Sequence, residues 1–312
     1  MSNIITARNV VKRYAAHTAL NDVSLNVPEG IIYGLLGPNG AGKTSMIRII
    51  NQITAPDSGE VLFYDEKLNP SHTKKIGYLP EERGLYKKMK VGEQALYLAQ
   101  LKGMNKNDAL AKLKEWFKKF EIYAWWDKKV EELSKGMAQK VQFIVTVLHE
   151  PKLLILDEPF SGFDPINVEL IKDELHRLKS TGVTIILSTH NMSSVEELCN
   201  YITLINHSKA VLEGSVNDLK HRYKEHIWEV RFNGSEDGLK NAIGGKYQIL
   251  GIHPGVNELK VEIKIPANLS PNDLLNAMLP ACMIHGFTEI LPSMSEIFIT
   301  AVKGEPSKQA VL

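Results

Sequence analysis

Short apolar runs alternate with amphipathic segments over roughly the first 220 residues of the chain. Three runs have the length and the Ile and Leu content of buried parallel strands: residues 31–36, 153–156 and 184–187. A helix beginning at Thr44 is indicated by four apolar residues that share one face: Met46, Ile49, Ile50 and Ile53. This alternation predicts an α/β domain at residues 1–220, built on a largely parallel sheet.

Helical periodicity dominates between about residues 85 and 150. Asn107 and Asp108 are of the residue types that start helices, and apolar residues at helical spacing follow them: Leu110, Leu113, Phe117 and Phe120. A second set precedes Pro151, where a helix is expected to end: Val141, Ile144, Val145 and Leu148. We therefore predict a helical subdomain at about residues 85–150, placed between the first apolar strand and the later ones.

The pattern changes near Gly214. Apolar and charged residues alternate one by one in two later segments, as in half-buried antiparallel strands: residues 228–232 and 259–265. A helix after Pro271, a strand near residues 287–291 and a helix at residues 292–302 complete the pattern. We predict a small C-terminal accessory α+β domain at residues 221–303, followed by a flexible tail at residues 304–312.

Composition narrows the class of protein. Apolar residues make up 44% of the chain and charged residues 23%, as in ordinary globular proteins. Lys and Arg total 37 against 36 Asp and Glu, so no broad basic balance points to a nucleic-acid partner. The two cysteines, Cys199 and Cys282, lack the spacing of a disulfide framework or a metal site. Neither a membrane-length apolar run nor a signal-peptide pattern is present, so any membrane role is expected to involve a partner.

Residues 37–44, GPNGAGKT, fit the phosphate-binding pattern G-x-x-x-x-G-K-[ST] at every position, between a predicted strand and a predicted helix. Glycines let backbone N–H groups converge on phosphate oxygens, and the helix N-terminus adds a favourable dipole. In this pattern Lys43 reaches the β- and γ-phosphates and the Thr44 hydroxyl binds Mg²⁺. The expected nucleotide ligands of this segment are Asn39, Gly40, Ala41, Gly42, Lys43, Thr44 and Ser45.

An apolar strand that ends in two acids completes the chemistry expected around a phosphate. Asp157 follows residues 153–156 directly, where a carboxylate holds Mg²⁺ beside the phosphates. Glu158 comes next and is placed to act as the general base that activates water. An Asp-Glu pair after a strand is weak evidence alone, but together with residues 37–44 it indicates hydrolysis of a nucleoside triphosphate.

Residues 133–139, LSKGMAQ, resemble the signature loop of the ABC ATPase family, which reads LSGGQ. Lys135 replaces the first glycine and Met137 the glutamine, and the SKGM form is similar to that of bacterial ABC ATPases of the sodium-efflux type. The resemblance implies a P-loop NTPase fold in which Ser134, Gly136 and Met137 contact ATP bound by a partner subunit. On its own, the segment indicates only a helix that begins after a serine cap.

Further residues match the family in the right order. Tyr14 corresponds to the aromatic residue that stacks on adenine, although a lone tyrosine is also a common packing residue. Asp164 lies in the sequence SGFDP, which resembles the family's SGLDP loop and implies a role in coupling two sites across a dimer. His190 matches the switch histidine that contacts the γ-phosphate and orients Glu158 and water. Lys43, Glu158 and His190 are therefore the expected catalytic residues.

One position departs from the family. After the strand that ends GYLP the family has a glutamine that touches Mg²⁺ and senses the membrane partner, and this chain has Glu81. A carboxylate oxygen also suits Mg²⁺, so Glu81 joins Thr44 and Asp157 in the expected metal site. An exposed acidic loop without a metal role explains the same residue, and both interpretations stay open.

The resemblance implies an ATP-hydrolysing, nucleotide-binding subunit of an ABC transporter that uses ATP and Mg²⁺, and the C-terminal domain resembles the extension of the sodium-efflux-type subgroup. Two copies are expected to sandwich the nucleotides and to drive a separate transmembrane permease, with export favoured. The subunit is then expected in the cytoplasm, on the cytoplasmic face of the cell membrane. The alternative is a non-transport ABC ATPase that acts as a regulatory or mechanical module; a P-loop kinase does not account for Ser134 and His190 together.

Overall fold

A computed structural model of the chain describes residues 2–15, 17–82, 84–255 and 257–303. The chain forms two compact units, Met1–Val216 and Asn217–Leu312. The flexible tail expected at residues 304–312 lies outside the described residues. Within the described part of the chain, no helix combines the length and the apolar character needed to cross a membrane.

The first unit contains both strands and helices. Its strands are β1 (Asn3–Tyr14), β2 (His17–Pro28), β3 (Ile32–Leu36), β4 (Ser58–Phe63), β5 (Glu66–Lys67), β6 (Ile76–Leu79), β7 (Leu153–Asp157), β8 (Thr184–Ser188), β9 (Tyr201–Asn206) and β10 (Lys209–Ser215). Its helices are α1 (Lys43–Ile50), α2 (Val91–Leu101), α3 (Lys106–Lys119), α4 (Lys135–Val147), α5 (Pro165–Ser180) and α6 (Met192–Leu198). Short 3-10 turns lie at Pro70–Lys75, Tyr123–Trp125 and Val130–Glu132.

A six-stranded sheet with the order β10-β9-β3-β8-β7-β6 forms the centre of this unit. Its pairings are parallel except that between β9 and β10. The strands β3, β7 and β8 are buried along their whole length, which explains their unbroken apolar sequences. The carboxyl ends of parallel strands meet at one edge of the sheet, so the residues after β3, β6, β7 and β8 come together there. Asp157 at the end of β7 lies opposite Ser188 at the end of β8.

The pattern of the sequence does not predict a second sheet, which is antiparallel and has the order β2-β1-β4-β5. Its two long strands, β1 and β2, do not alternate regularly because their pairing shifts register at several irregularities. Buried residues of both strands join those of α1 in one apolar core, among them Val10, Leu25 and Met46. The expectation of a largely parallel sheet therefore holds for the six-stranded sheet only.

Two helix boundaries differ from those expected. The first helix ends at Ile50, so Ile53 lies beyond it and is 60% exposed instead of packing on its apolar face. The helix expected to start at Asn107 begins earlier, because the side chain of Asn105 accepts a hydrogen bond of 2.9 Å from the N–H of Asp108. Asn105 is therefore the N-cap of α3.

The second unit is α+β. Its elements are α7 (Val216–Arg222), which begins at the last residue of the first unit, β11 (Ile227–Asn233), α8 (Glu236–Ile243), β12 (Gln248–Pro254), β13 (Leu259–Lys264), α9 (Pro271–Met278), β14 (Met283–Ile290) and α10 (Met294–Lys303). The antiparallel sheet has the order β12-β13-β11-β14, and the run from β11 to β14 follows a β-α-β-β-α-β pattern. Its core joins alternate strand residues, such as Val230 and Val261, to Leu239 of α8 and Leu274 of α9.

The pattern of the sequence does not predict α8 and β12. The helix α8 has only two buried residues, Leu239 and Ile243, and one such pair does not define a helical period. The strand β12 lies at the edge of the sheet, and its Leu250 is 43% exposed, so apolar and polar positions do not separate cleanly along it.

Candidate active site

A cavity of about 330 Å³ opens where β3, β6, β7 and β8 end. The residues that line it are His17, Ala19, Asn39, Gly40, Gly42, Lys43, Thr44, Ser45, Glu81, Asp157, Glu158 and His190. The cavity therefore brings together the three expected catalytic residues and the three expected metal ligands. His17 and Ala19 come from the second sheet, which the sequence analysis does not predict.

Two glycines of the loop between β3 and α1 leave no space for a side chain. A Cβ atom on Gly37 would lie 2.1 Å from the carbonyl oxygen of Ile205, and one on Gly42 would lie 2.3 Å from that of Ala19. Gly42 also has a φ of 119°, in the left-handed region that side chains disfavour. The loop backbone thus packs directly on neighbouring strands, which holds it in one conformation.

The N-terminus of α1 is directed at the cavity. Gly42 precedes the helix and has no side chain with which to cap the first N–H groups, while Thr44 and Ser45 of the first turn line the cavity. Ala41 is buried and does not line the cavity; its N–H donates to the carbonyl oxygen of Pro38 at 3.2 Å. A helix start of this kind favours an anion such as a phosphate.

Lys43 places a buried ammonium group in the loop. Its Nζ atom donates hydrogen bonds to the carbonyl oxygens of Gly37 at 2.7 Å and Pro38 at 3.1 Å. Burial lowers the pKa of Lys43, and the negative charges of Glu158 and Asp157 act in the opposite direction. The ammonium group is thus held by loop carbonyls beside the acids of the cavity.

Asp157 is a buried carboxyl at the end of β7, only 4% exposed. Burial raises its pKa, the Ser188 hydroxyl opposes that change, and the charges of Glu81 and Glu158 add to it. Burial also raises the pKa of Tyr78 to about 12, with the charge of Asp157 as a further cause. The fold therefore holds several negative groups close together at this point, an arrangement that a cation would relieve.

The Glu158 side chain is held by the two residues that follow β8. The N–H of His190 donates to one carboxylate oxygen at 3.1 Å, and the Nδ1 atom of the same histidine lies 2.7 Å from that oxygen. The Thr189 hydroxyl donates to the other oxygen at 3.2 Å. Because an ionised carboxylate only accepts hydrogen bonds, Nδ1 carries the proton, which leaves Nε2 available to a ligand.

The backbone supports the same arrangement. Glu158 has a φ of 48°, in the left-handed region, and its N–H donates to the carbonyl oxygen of Ser188 at 2.9 Å. The sequence analysis does not identify Thr189, which is 1% exposed and also accepts a hydrogen bond from the N–H of Asn191 at 3.1 Å. Its position directly before His190 is the signal that could have singled it out.

The donor atoms at the cavity suit Mg²⁺. Thr44 offers a hydroxyl oxygen, while Glu81 and Asp157 offer carboxylate oxygens, the ligand type this ion prefers. Within the described residues, no group of three or more His, Cys, Asp or Glu side chains is arranged to hold a metal. A few protein oxygens beside a phosphate site are the usual setting for Mg²⁺, so the residues present fit the ion.

Tyr14 lies in a neighbouring hollow of about 640 Å³ that also includes Thr44, Glu81 and Asp157. Its ring is 36% exposed, and the Lys12 Nζ atom lies 5.7 Å from the ring centroid. An exposed aromatic face beside the phosphate loop is suited to stacking on a nucleobase.

Four expected nucleotide contacts line neither the cavity around Lys43 nor the hollow around Tyr14: Ser134, Gly136, Met137 and Asp164. Ser134 is the N-cap of α4 and accepts a hydrogen bond from the N–H of Met137 at 3.3 Å. Asp164 is the N-cap of α5, where Asn167 donates to it and lowers its pKa. Gly136 in the first turn of α4 is half-buried. Within one chain, Ser134 and Asp164 therefore have the ordinary role of helix caps.

Family models match both units. One described as "ABC transporter" matches residues 20–161, and one described as "ATP-binding protein DrrA1-3-like, C-terminal domain" matches residues 214–302. A third, described as "AAA domain, putative AbiEii toxin, Type IV TA system", matches residues 128–196.

Curated relatives cover most of the first unit and part of the second. The chain is 44% identical over 256 residues to the uncharacterized ABC transporter ATP-binding protein YhaQ of Bacillus subtilis (strain 168), covering 79% of this chain and 86% of that protein. It is 33% identical over 231 residues to the bacitracin transport ATP-binding protein BcrA of Enterococcus faecalis, covering 72% of this chain and 74% of that one.

Solved structures share the fold. One is of CbiO1 from Clostridium perfringens, described as part of the ABC transporter complex CbiONQ, with a TM-score of 0.61, 26% identity, and coverage of 70% of this chain and 91% of that chain. Another is a dimeric ATP-binding cassette in a post-hydrolysis state bound to ADP and Pi, with a TM-score of 0.63, 24% identity, and coverage of 68% and 98%.

Replacing Asp157 with asparagine is expected to raise thermal stability. Because burial raises the pKa of Asp157, the folded chain keeps this proton to a higher pH than the unfolded chain, and ionisation lowers stability as the pH rises to neutral. Asp157→Asn is uncharged at every pH and should raise the unfolding midpoint at neutral pH by about 2–4 °C, or roughly 1 kcal/mol. The gain should shrink as the pH falls towards 3.8, the ordinary value for Asp.

Differential scanning calorimetry across this pH range measures the effect, with Glu82→Gln as the matched control because Glu82 is exposed. A stability gain that does not depend on pH, or a loss at neutral pH, would contradict the assignment of Asp157 as a strained buried carboxylate.

Proposed function

The chain belongs to the ATP-binding subunits of ABC transporters, and we propose that it hydrolyses Mg-ATP at a site shared by two copies and so drives a separate permease. The observation that carries the proposal is the Glu158 carboxylate, which Thr189 and His190 hold beside the phosphate loop.

The phosphate loop and α1 bind the triphosphate in this proposal. The N–H groups of the loop and of the first turn of α1 donate to the phosphates, and the residues involved are Asn39, Gly40, Gly42, Thr44 and Ser45. Ala41 joins them by exchanging the carbonyl oxygen of Pro38 for a phosphate oxygen. Lys43 exchanges its two loop carbonyl partners for β- and γ-phosphate oxygens, which are stronger acceptors because they are charged. Tyr14 stacks on the adenine ring.

Thr44, Asp157 and Glu81 would hold Mg²⁺, which supplies positive charge that offsets the charge developing on the phosphate oxygens. Three carboxylates near Lys43, those of Glu81, Asp157 and Glu158, leave the cavity with excess negative charge, and this supports the assignment. Glu81 takes the position of the usual glutamine because both offer a side-chain oxygen.

Glu158 acts as the general base in the hydrolysis step. It accepts a proton from water as the water oxygen bonds to the γ-phosphorus and the bond from that phosphorus to the bridging oxygen breaks, which releases ADP and phosphate. The hydrogen bonds from Thr189 and from the backbone of His190 fix the direction of the carboxylate. With Nδ1 bonded to Glu158, the Nε2 of His190 is left to contact the γ-phosphate.

A second copy of the chain completes the site. Ser134, Gly136 and Met137 begin an α-helix on a different part of the surface from the cavity, where the helix dipole favours a phosphate. We assign these residues to the ATP held by the partner, and Asp164 to the contact between the two sites. The dimeric architecture of a cassette with the same fold supports this arrangement.

The permease is a separate polypeptide in this proposal. The similar Clostridium perfringens protein is part of a transporter complex, and a relative is named for bacitracin transport, which supports a place beside a permease at the cell membrane. The cytoplasmic face and the export direction follow from the resemblance to the sodium-efflux-type subgroup. The helical subdomain at residues 85–150 includes Ser134, the N-cap of α4, so a movement of this subdomain on dimer closure is available to a partner. The C-terminal domain at residues 221–303 is an accessory domain.

Hydrolysis by the purified chain tests the proposal. Glu158→Gln is expected to lower the rate of phosphate release more than about 100-fold, because a general base contributes 10²–10⁴-fold, while ATP still binds. The neighbouring Glu82→Gln variant has the same change of charge on an exposed residue and should release phosphate at the parental rate. Phosphate release within tenfold of the parent in Glu158→Gln would contradict the proposed base.

The role of Glu81 has its own test. Glu81→Gln is expected to keep ATPase activity within severalfold of the parent because an amide oxygen also binds Mg²⁺, whereas Glu81→Ala should lose about tenfold or more. Titration of Mg²⁺ against ATPase rate separates a weaker metal site from a damaged fold. Complete loss in Glu81→Gln, or unchanged activity in Glu81→Ala, would refute the metal role.

A further inference from the structure

The chain has nearly equal numbers of basic and acidic residues, but these residues are unevenly distributed along it. Residues 85–150 contain 13 lysines and no arginine against eight acidic residues, whereas the rest of the chain has 24 basic and 28 acidic residues. The helical subdomain is therefore the positive part of a chain whose remainder is negative. Such asymmetry indicates an interaction with an anionic partner.

Two segments of this subdomain lie side by side through backbone hydrogen bonds. The N–H of Val91 donates to the carbonyl oxygen of Lys128 at 2.9 Å, and the N–H of Val130 donates to that of Met89 at 3.0 Å. Lys90 and Lys129 face each other in an antiparallel bridge. This pairing gathers five exposed lysines, which we call the lysine ridge: Lys87, Lys88, Lys90, Lys128 and Lys129.

The ridge keeps a net positive charge. Residues 84–92 contain three lysines and no acid, and residues 127–132 contain two lysines and three acids, so the two segments together carry five positive and three negative charges. In the described part of the chain, Lys87, Lys88 and Lys128 form no ion pair with a carboxylate. Lys90 pairs with Asp127 at 3.4 Å and Lys129 with Glu131 at 3.7 Å. Both pairs are exposed and weak, so the lysines of the ridge are available to a partner.

Exposed aromatic residues accompany the lysines. Tyr86 directly precedes Lys87 and is 55% exposed, and Tyr123 begins the turn before Lys128 and is 54% exposed. Tyrosine places an apolar ring and a polar hydroxyl at the boundary between water and lipid, and lysine extends its charge from an apolar stem. Lysine next to aromatic residues is the composition of surfaces that lie on membranes.

We propose that the lysine ridge binds the anionic lipid headgroups of the membrane surface and so holds the subunit against the bilayer. The proposal rests on the function proposed above only in placing the chain beside a membrane protein. Arginine is enriched at protein–protein interfaces and forms paired hydrogen bonds with nucleic-acid bases. A ridge that contains lysine and no arginine therefore favours a diffuse anionic surface over a protein or a nucleic acid.

Binding of the full chain to vesicles tests the proposal. The parent protein should bind vesicles that contain phosphatidylserine and phosphatidylcholine, and binding to phosphatidylcholine alone should be much weaker. Each lysine near an anionic surface contributes about fivefold to the binding constant, so the triple variant Lys87→Glu, Lys88→Glu, Lys128→Glu should bind at least ~100-fold more weakly. Raised salt should weaken the parent in the same way.

The matched control is Lys106→Glu, Lys114→Glu, Lys118→Glu, which changes the net charge equally at exposed positions of α3 outside the ridge. It should keep parental binding. Equal vesicle binding by the ridge variant and the parent, or no preference for phosphatidylserine, would overturn the proposal. Two results together would also overturn the proposal: the parent does not bind vesicles, and the ridge variant no longer co-purifies with the permease. They would assign the ridge to an acidic protein surface instead.

Phosphate release measured on the same preparations separates this inference from the proposed function. The ridge variant should hydrolyse ATP at the parental rate in the absence of vesicles, and Glu158→Gln should bind vesicles as the parent does. Absent hydrolysis with intact vesicle binding would count against the proposed function alone.

Discussion

The site depends on the parallel pairing of β7 with β8, because that pairing brings Glu158 to Thr189 and His190. Asp157 lies opposite Ser188 in this register, so the residues just beyond both strands meet at the sheet edge. The Glu158 carboxylate then receives hydrogen bonds on both of its oxygens. A shift of one residue would turn these side chains to the opposite faces of the sheet and would separate Glu158 from Thr189 and His190.

Electrostatic strain accompanies this geometry. The end of β7 buries Asp157 beside Glu158 and Glu81, and the buried Lys43 is the basic residue that offsets them in the cavity. An arrangement of this kind lowers the stability of the chain by itself, and a cation bound at this point would relieve it. The fold supports it through an apolar core in which the second sheet and α1 pack on the parallel sheet. Functional sites commonly lower the stability of a folded protein in this way.

Local motifs could be predicted from the sequence, and long-range packing could not. Residues 37–44 carry the whole phosphate-binding pattern within eight consecutive positions, so the sequence points directly to this loop. Strand pairing alone brings Thr189 to Glu158 and His17 to the cavity. The sheet that supplies His17 has an irregular register that hides its alternation of apolar and polar residues. Ser134 and Asp164 are helix caps in the single chain, so their assignment to a partner's nucleotide rests on the family resemblance and not on this geometry.

The central claim is that ATP joins two copies, with the phosphate loop of one facing the Ser134 turn of the other. Light scattering of Glu158→Gln with and without Mg-ATP measures this directly, because we expect this variant to bind the nucleotide and to hydrolyse it only slowly. The account predicts a mass that doubles from that of one 34.9 kDa chain when ATP is added, and a Ser134→Arg substitution in the same protein should prevent the change. A mass of one chain at saturating ATP, both alone and beside the permease, would contradict it.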